Sequence, residues 1–318
     1  MTNRTIDTSF AVTRPSVPAL DAILGHSYPV LDHGFVRVID YLGDQNAIVQ
    51  AARVSYGTGT KSVSSDRSLI RYLLRHHHNT PVEMAELKLH CKLPIFIARQ
   101  WLRTRTASTN EYSGRYSIMS NEFYLPPLEQ VSFQSETNNQ GRGEMIPAET
   151  AQAVLDLIKN TSEVCYQRYE HFVEDGLSRE LARIGLTLNS YTEFYWKIDL
   201  HNLLHFLHLR MDTHAQWEIR VYAQQIFEFL KLWVPDVVEA FTDYTLEART
   251  LSKQEIALLK RAFQGEILDQ STSGLSKREW TEFQPFLTTL TAPEVDDGES
   301  SQQILPFEVE QEFPIESL

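Results

Sequence analysis

Cysteine is nearly absent. Only Cys91 and Cys165 occur in 318 residues, so neither a disulfide framework nor a thiolate metal cluster follows from their spacing. No apolar run reaches the length that spans a bilayer, which excludes a membrane partner of that kind. The first residues lack the apolar stretch of a secretory signal, and a reducing cytoplasm is the expected setting. Positive charge is scarce as well: 29 Lys and Arg stand against 42 Asp and Glu, a formal net charge of −13. A chain of that sign repels a nucleic-acid backbone, which argues against general DNA or RNA binding. No Lys or Arg follows Arg278, while acids continue to Glu316. What is present is ordinary for a globular chain, 42% apolar and 22% charged, and is enough for one large domain or two small ones.

Against this background, Arg99, Arg103, Arg105 and Arg115 gather in RQWLRTRTASTNEYSGRYS, residues 99–117, with no Lys and no Asp among them. The stretch is densely polar and has no apolar period, so it is expected as a loop rather than a core face. Arginine's planar fork matches phosphate oxygens two at a time. A local cluster of this kind in an acidic protein suits a small planar anion better than a polymer.

The rest of the chain reads as a frame for that loop. Residues 1–33 contain Pro15, Pro18 and Pro29 and are expected as an N-terminal extension, with the domain running over 34–250. Phe35–Leu42 is an expected strand ended by Gly43, and Asp44 an expected N-cap for a helix to Arg53. Gly57 and Gly59 mark a loop. Ser65 can cap a helix whose Leu69, Ile70, Leu73 and Leu74 form one stripe. Asn79, Thr80 and Pro81 break it after a run of basic residues that suits a helix C-terminus.

Glu86–Leu93 alternates Leu87, Leu89, Cys91 and Leu93 with Lys88, His90 and Lys92, a strand with Cys91 on its buried side. Pro94 opens a short helix to Leu102, which gives the arginine loop a rigid base. Phe123–Leu125 is a further short strand. The polar connection from Pro126 to Pro147 reads as a lid or a disordered segment. Ala148–Asp175 is a long helix closed by Gly176, and Ser178 starts a short one carrying Arg179 and Arg183. After the aromatic stretch 189–197, Asp199 caps a helix to Arg210. Thr213 and Gln216 have capping-box spacing for the next helix, which Pro235 stops. Residues 251–318 are expected as an acidic C-terminal extension, disordered or docked only by short apolar pieces from about 270.

The arginine stretch resembles the signature of the flavin-dependent thymidylate synthases: Arg-His-Arg, seven residues, then Ser. Here Arg103, Thr104 and Arg105 precede Ser113 by that spacing, with Thr104 in place of His. Gln100, Ala107, Ser108, Asn110, Glu111, Gly114 and Arg115 continue the match. The stretch ELARIGLTLNSYTEFYWKIDLHNLLHFLHLRMDTHAQWEI, residues 180–219, extends the resemblance to about 34–245.

This resemblance implies an α/β (α+β) fold, a mostly antiparallel sheet flanked by long helices, in a homotetramer whose sites are shared. It implies reductive methylation of deoxyuridylate (dUMP) to thymidylate (dTMP). The carbon donor would be 5,10-methylenetetrahydrofolate, and FAD reduced by NADPH would supply the hydride. By the same resemblance Gln100, Trp101, Leu102, Arg103, Glu111, Tyr112, Ser113, Gly114, Arg115 and Arg183 would contact dUMP. Arg210 would lie beside the uracil, where a cation stabilises the anionic ring. His78, Thr80, Glu83, Arg103, Thr104, Arg105, Asn110 and Glu111 would face FAD, with Asp199, His201 and His205 replacing other polar groups of the family. An alternative is a flavin- or nucleotide-binding relative without catalysis. His201, His205 and His208 share one helix face, a spacing that can ligate metal. No HExxH pattern accompanies them, and packing or flavin contact is the expected role, with no metal. Neither cysteine has the setting of a nucleophile, which agrees with a flavin route.

Overall fold

In the computed structural model, residues 14–54, 65–136 and 141–291 are described. The glycines at 57 and 59, the first thirteen residues and the tail from 292 lie outside them. The chain divides into two compact units between Ala248 and Arg249.

The first unit runs α1 (Pro18–Asp21), β1 (Ser27–Val30), β2 (Gly34–Leu42), α2 (Gln45–Val54), α3 (Asp66–Arg75), β3 (Glu86–Pro94), α4 (Ile95–Trp101) and β4 (Ser108–Glu111). It continues with β5 (Ser132–Gln134), β6 (Arg142–Met145), α5 (Ala148–Glu174), α6 (Arg179–Ala182), β7 (Tyr191–Asp199), α7 (Leu200–Met211), α8 (Trp217–Trp233) and α9 (Pro235–Phe241). Five strands form one antiparallel sheet in the order β1-β2-β3-β7-β4, and β5 and β6 form a separate hairpin. In register, Leu89 of β3 lies opposite Val38 and Trp196, and Cys91 opposite Val36 and Phe194. These side chains are buried with Leu203, Leu207, Tyr222, Ile226 and Leu230 of α7 and α8 in one core. Each large apolar side chain so buried contributes roughly 1.5–3 kcal/mol. Burial pushes the Cys91 thiol far above its usual range, so it is an inert core residue.

Local chemistry explains the boundaries. Ser65 Oγ accepts from the Ser68 amide at the start of α3, and Asp199 accepts from the Asn202 amide at the start of α7. Asp44 accepts from the Ala47 amide ahead of α2. Gly34 is required by close approach: a Cβ there would lie 2.0 Å from the Tyr222 hydroxyl, which itself donates to the Lys92 carbonyl at 2.7 Å.

Several expectations change. The sheet begins before Gly34, because β1 pairs with β2 and Leu20 of α1 is fully buried. The arginine stretch is not all loop: its residues 108–111 are β4, all exposed, paired to β7. Phe123 makes one isolated bridge to Ser190 instead of a strand. The described parts of 126–147 hold two paired strands, β5 and β6, where no regular element was expected; residues 137–140 lie outside the described residues. Gln216, not Thr213, is the N-cap of α8, and no side chain caps it; the Thr213 carbonyl instead accepts from Arg220.

The second unit contains α10 (Lys253–Phe263), α11 (Gln270–Ser273) and α12 (Lys277–Thr291). Ser252 and Glu255 form a capping box, and Leu258, Leu275, Trp280, Phe283 and Leu287 form a core of their own. The part of 270–291 expected as tail is therefore helical.

Candidate active site

Pro94 ends β3, and α4 follows with Ile97, Ala98 and Trp101 buried. The Trp101 ring lies 4.9–5.8 Å from the rings of Phe206, Trp196, Phe194 and Tyr222. Its side chain therefore belongs to the core, and only its main chain is left for a ligand. Anchored this way, α4 delivers Gln100 on its polar side, Leu102 as its half-buried C-cap, and Arg103 and Arg105 exposed just beyond. Among the described residues neither of those two arginines has a carboxylate partner. Arg210, at the end of α7, reaches the same place: its Nη2 donates to the Gln100 carbonyl at 3.4 Å. Arg210 Nε and Gln100 Oε1 are both buried with no partner. Burial lowers the Arg210 pKa, the sign expected of a cation withdrawn from water without an anion beside it. Arg210 and Gln100, which meet through that carbonyl, thus each keep one unsatisfied polar atom that a polar ligand can answer.

A second cluster forms past β4. The Thr192 hydroxyl donates to Glu111 at 2.9 Å, and the Tyr112 amide to the Glu193 carbonyl at 2.8 Å. The Tyr112 hydroxyl donates to the Ile118 carbonyl, closing the turn around half-buried Ser113. Gly114 sits where no larger residue fits at ease: a Cβ would lie 2.9 Å from Met119 Sδ and 3.3 Å from Arg183 Cδ. Arg183 thus lies against the signature turn. Arg115 pairs with Glu180 at 3.0 Å, and Arg179 donates to the Tyr116 carbonyl at 2.6 Å. Tyr166 and Tyr169 of α5 hold Met119 by its carbonyl and amide. So the structure brings Arg115 to Arg183, and Gln100 to Arg210. Among the described residues no hydrogen bond or ion pair joins one cluster to the other.

Two segments that carry residues implied for the flavin are tied to the start of α7. The Leu200 amide donates to the Ala85 carbonyl at 2.8 Å, which ties the start of α7 to the turn 82–84. The Thr106 hydroxyl donates to Asn202 at 2.7 Å, which ties the loop after α4 to the same helix. His78, Thr80, Glu83, Arg105 and His205 are exposed, with Thr104 and His201 half-buried. His77 takes a left-handed φ of 55°, which turns the chain sharply out of α3, and His78 meets Tyr72 edge-on at 5.6 Å. The donor-rich set of guanidinium, imidazole and hydroxyl groups fits an anionic cofactor with a polar ring. Asp199 shapes the start of α7, with its two oxygens each accepting one hydrogen bond from Asn202. Asn110 is exposed on β4. Among the described residues no group of His, Cys, Asp and Glu could hold a metal ion. No helix there is long and apolar enough to cross a membrane. Thr106, Asn202, Thr192 and Glu180 were not legible in the sequence, because each acts through a partner 65 or more positions away.

Residues 37–236 match the family model described as thymidylate synthase complementing protein. A flavin-dependent thymidylate synthase of Gluconobacter oxydans is 56% identical over 278 residues, covering 86% of this chain and 92% of the relative. One from Ruegeria pomeroyi is 57% identical over 290 residues, covering 89% and 96%. Among solved structures, the UMP/dUMP methylase PolB from Streptomyces cacaoi bound with 5-Br UMP has a TM-score of 0.62 at 31% identity, covering 69% of this chain and 98% of that one. The chain belongs to the flavin-dependent thymidylate synthase family.

Proposed function

We propose that this protein makes dTMP by flavin-dependent reductive methylation of dUMP, and that Gln100 and Arg210 form the uracil end of its site. The observation that carries this reading is that Arg210 meets Gln100 through the Gln100 carbonyl while each residue keeps a buried polar atom, Nε and Oε1, without a partner. Arg210 stabilises negative charge on the uracil ring and so favours loss of its N3 proton, which makes C5 electron-rich and ready to accept a carbon. Its half-burial strengthens that effect, because the surrounding dielectric is lower than water. Arg115 and Arg183 hold the phosphate, and Arg103 reaches from the end of α4 toward the same nucleotide. FAD, when bound, supplies the hydride. His78, Thr80, Glu83, Arg105, His201 and His205 hold it, and Thr104 leaves room where the family's larger His stands. The carbon comes from 5,10-methylenetetrahydrofolate and the reducing equivalents from NADPH.

The two arginine clusters of one chain serve different sites, each completed by a neighbouring copy, in a homotetramer. The family resemblance supports this. The direct test of the reaction is product formation from dUMP, the folate donor and NADPH by yellow protein. Colour without dTMP would leave only the binding-protein alternative. The shared site is tested by mixing Arg115→Ala and Arg210→Ala chains at dUMP too low to saturate the Arg115→Ala variant: each alone is nearly inactive, and the mixed oligomer recovers part of the activity. No recovery in a proven mixed oligomer would place both arginines in one protomer's site.

A further inference from the structure

One cleft is not used by anything described above. It lies between the β5–β6 hairpin and the start of α8 and has a volume of about 610 Å3, in the range of small-molecule sites. In a protein of net charge −13, none of its lining residues is Asp or Glu. Arg142 enters from β6 and Arg220 from α8. Arg142 is neutralised from behind by Glu218, which is 1% exposed, and is oriented by Gln130 at 2.9 Å. Arg220 donates to the Thr213 carbonyl at 3.0 Å and has no carboxylate partner among the described residues. The cleft therefore carries net positive charge that no group of its own answers. Asp212, next to Thr213 in the chain, is held by the His214 amide and ring. Phe133, exposed on the hairpin, and Trp217, half-buried at the head of α8, place one aromatic side chain on each of the two walls. The α8 start has no side-chain cap, which leaves its first amides without side-chain partners on the same side as Arg220.

We propose that this cleft is a binding site for an aromatic ligand that ends in an anion, with Arg220 meeting the anion and Phe133 and Trp217 flanking the ring. Guanidinium and free helix amides recognise carboxylate and phosphate alike. Two such ligands belong to the reaction proposed above, on which this inference rests: the benzoyl-glutamate tail of the folate donor and the phosphorylated adenosine of NADPH. Both are long enough to keep their reactive ring elsewhere.

The test is calorimetric titration of the full-length protein with two probes, p-aminobenzoyl-triglutamate and adenosine 2′,5′-bisphosphate, which need no turnover. One probe should bind the parent and bind Arg220→Ala about tenfold or more weakly, the loss expected for a charge-assisted hydrogen bond. Phe133→Ala, a change on an exposed strand, should weaken the same probe several-fold. Binding of the glutamate probe selects the folate tail, and binding of the bisphosphate selects the nucleotide. If neither probe binds the parent, or if both variants bind as the parent does, the cleft is not this site. Because dUMP turnover is measured apart, a protein that makes no dTMP would sink the functional reading without deciding this one.

Discussion

Arg115 and Arg210 are assigned to one nucleotide but stand in opposite states. Arg115 has 52% of its side chain exposed and an ion-pair partner, Glu180, at 3.0 Å. Arg210 is half-buried, has no carboxylate partner among the described residues, and leaves Nε open. An exposed pair exchanges one anion for another at little cost, since water screens both states. A withdrawn cation with no anion is already fixed for a charge that has yet to develop. The first arrangement suits capture of a phosphate that carries its charge at all times. The second suits a ring whose charge appears during reaction.

Replacement of each arginine is the sharpest way to break this contrast. Arg210→Ala should keep the flavin spectrum and lose turnover by roughly 10²–10³, as when a transition-state donor is removed. Near-normal turnover by single-turnover assay would cancel its special role. Arg115→Ala should instead weaken dUMP by about one to two orders of magnitude in a calorimetric titration, at roughly 1.5–3 kcal/mol per charge-assisted bond. An unchanged affinity would remove it from the phosphate. Glu180→Gln should act in the other direction, tightening dUMP by a few-fold because Arg115 loses its competitor. Weaker binding in that variant would make Glu180 a support and not a competitor. Gly114→Ala should raise the dUMP dissociation constant by a few-fold, because Met119 Sδ can yield but Arg183 must shift. The smallest effect belongs far from both: Cys91 should stay unreactive to a thiol reagent until the protein unfolds, and modification of the native enzyme at Cys91 would contradict its burial.

The contrast was only half legible beforehand. The sequence, through its family resemblance, assigned Arg103, Ser113, Arg115 and Arg210 to the site, because residue types at fixed spacing carry the match. It also gave β3, whose period of two is undisturbed, and the caps Ser65 and Asp199, whose signals are local. It did not give β4, since all four of its residues are exposed and its pairing is owed to β7, more than 80 positions on. Nor did it separate Trp101 from its neighbours Gln100 and Arg103. Only the aromatic cage around Trp101 shows that this member of the signature faces inward. The hairpin and α12 escaped for a related reason: polar or proline-containing segments become ordered through partners that no short window contains.

That aromatic cage has a practical consequence. Trp101 and Trp196 touch at 5.3 Å, and neither indole nitrogen has a hydrogen-bond partner. Shielded indoles of this kind emit toward the blue, and Trp101 adjoins Gln100 in the chain. The enzyme therefore carries an optical gauge of its own: near-ultraviolet emission from this pair should dim by energy transfer when FAD binds. Stopped-flow fluorescence could then time cofactor loading without any label.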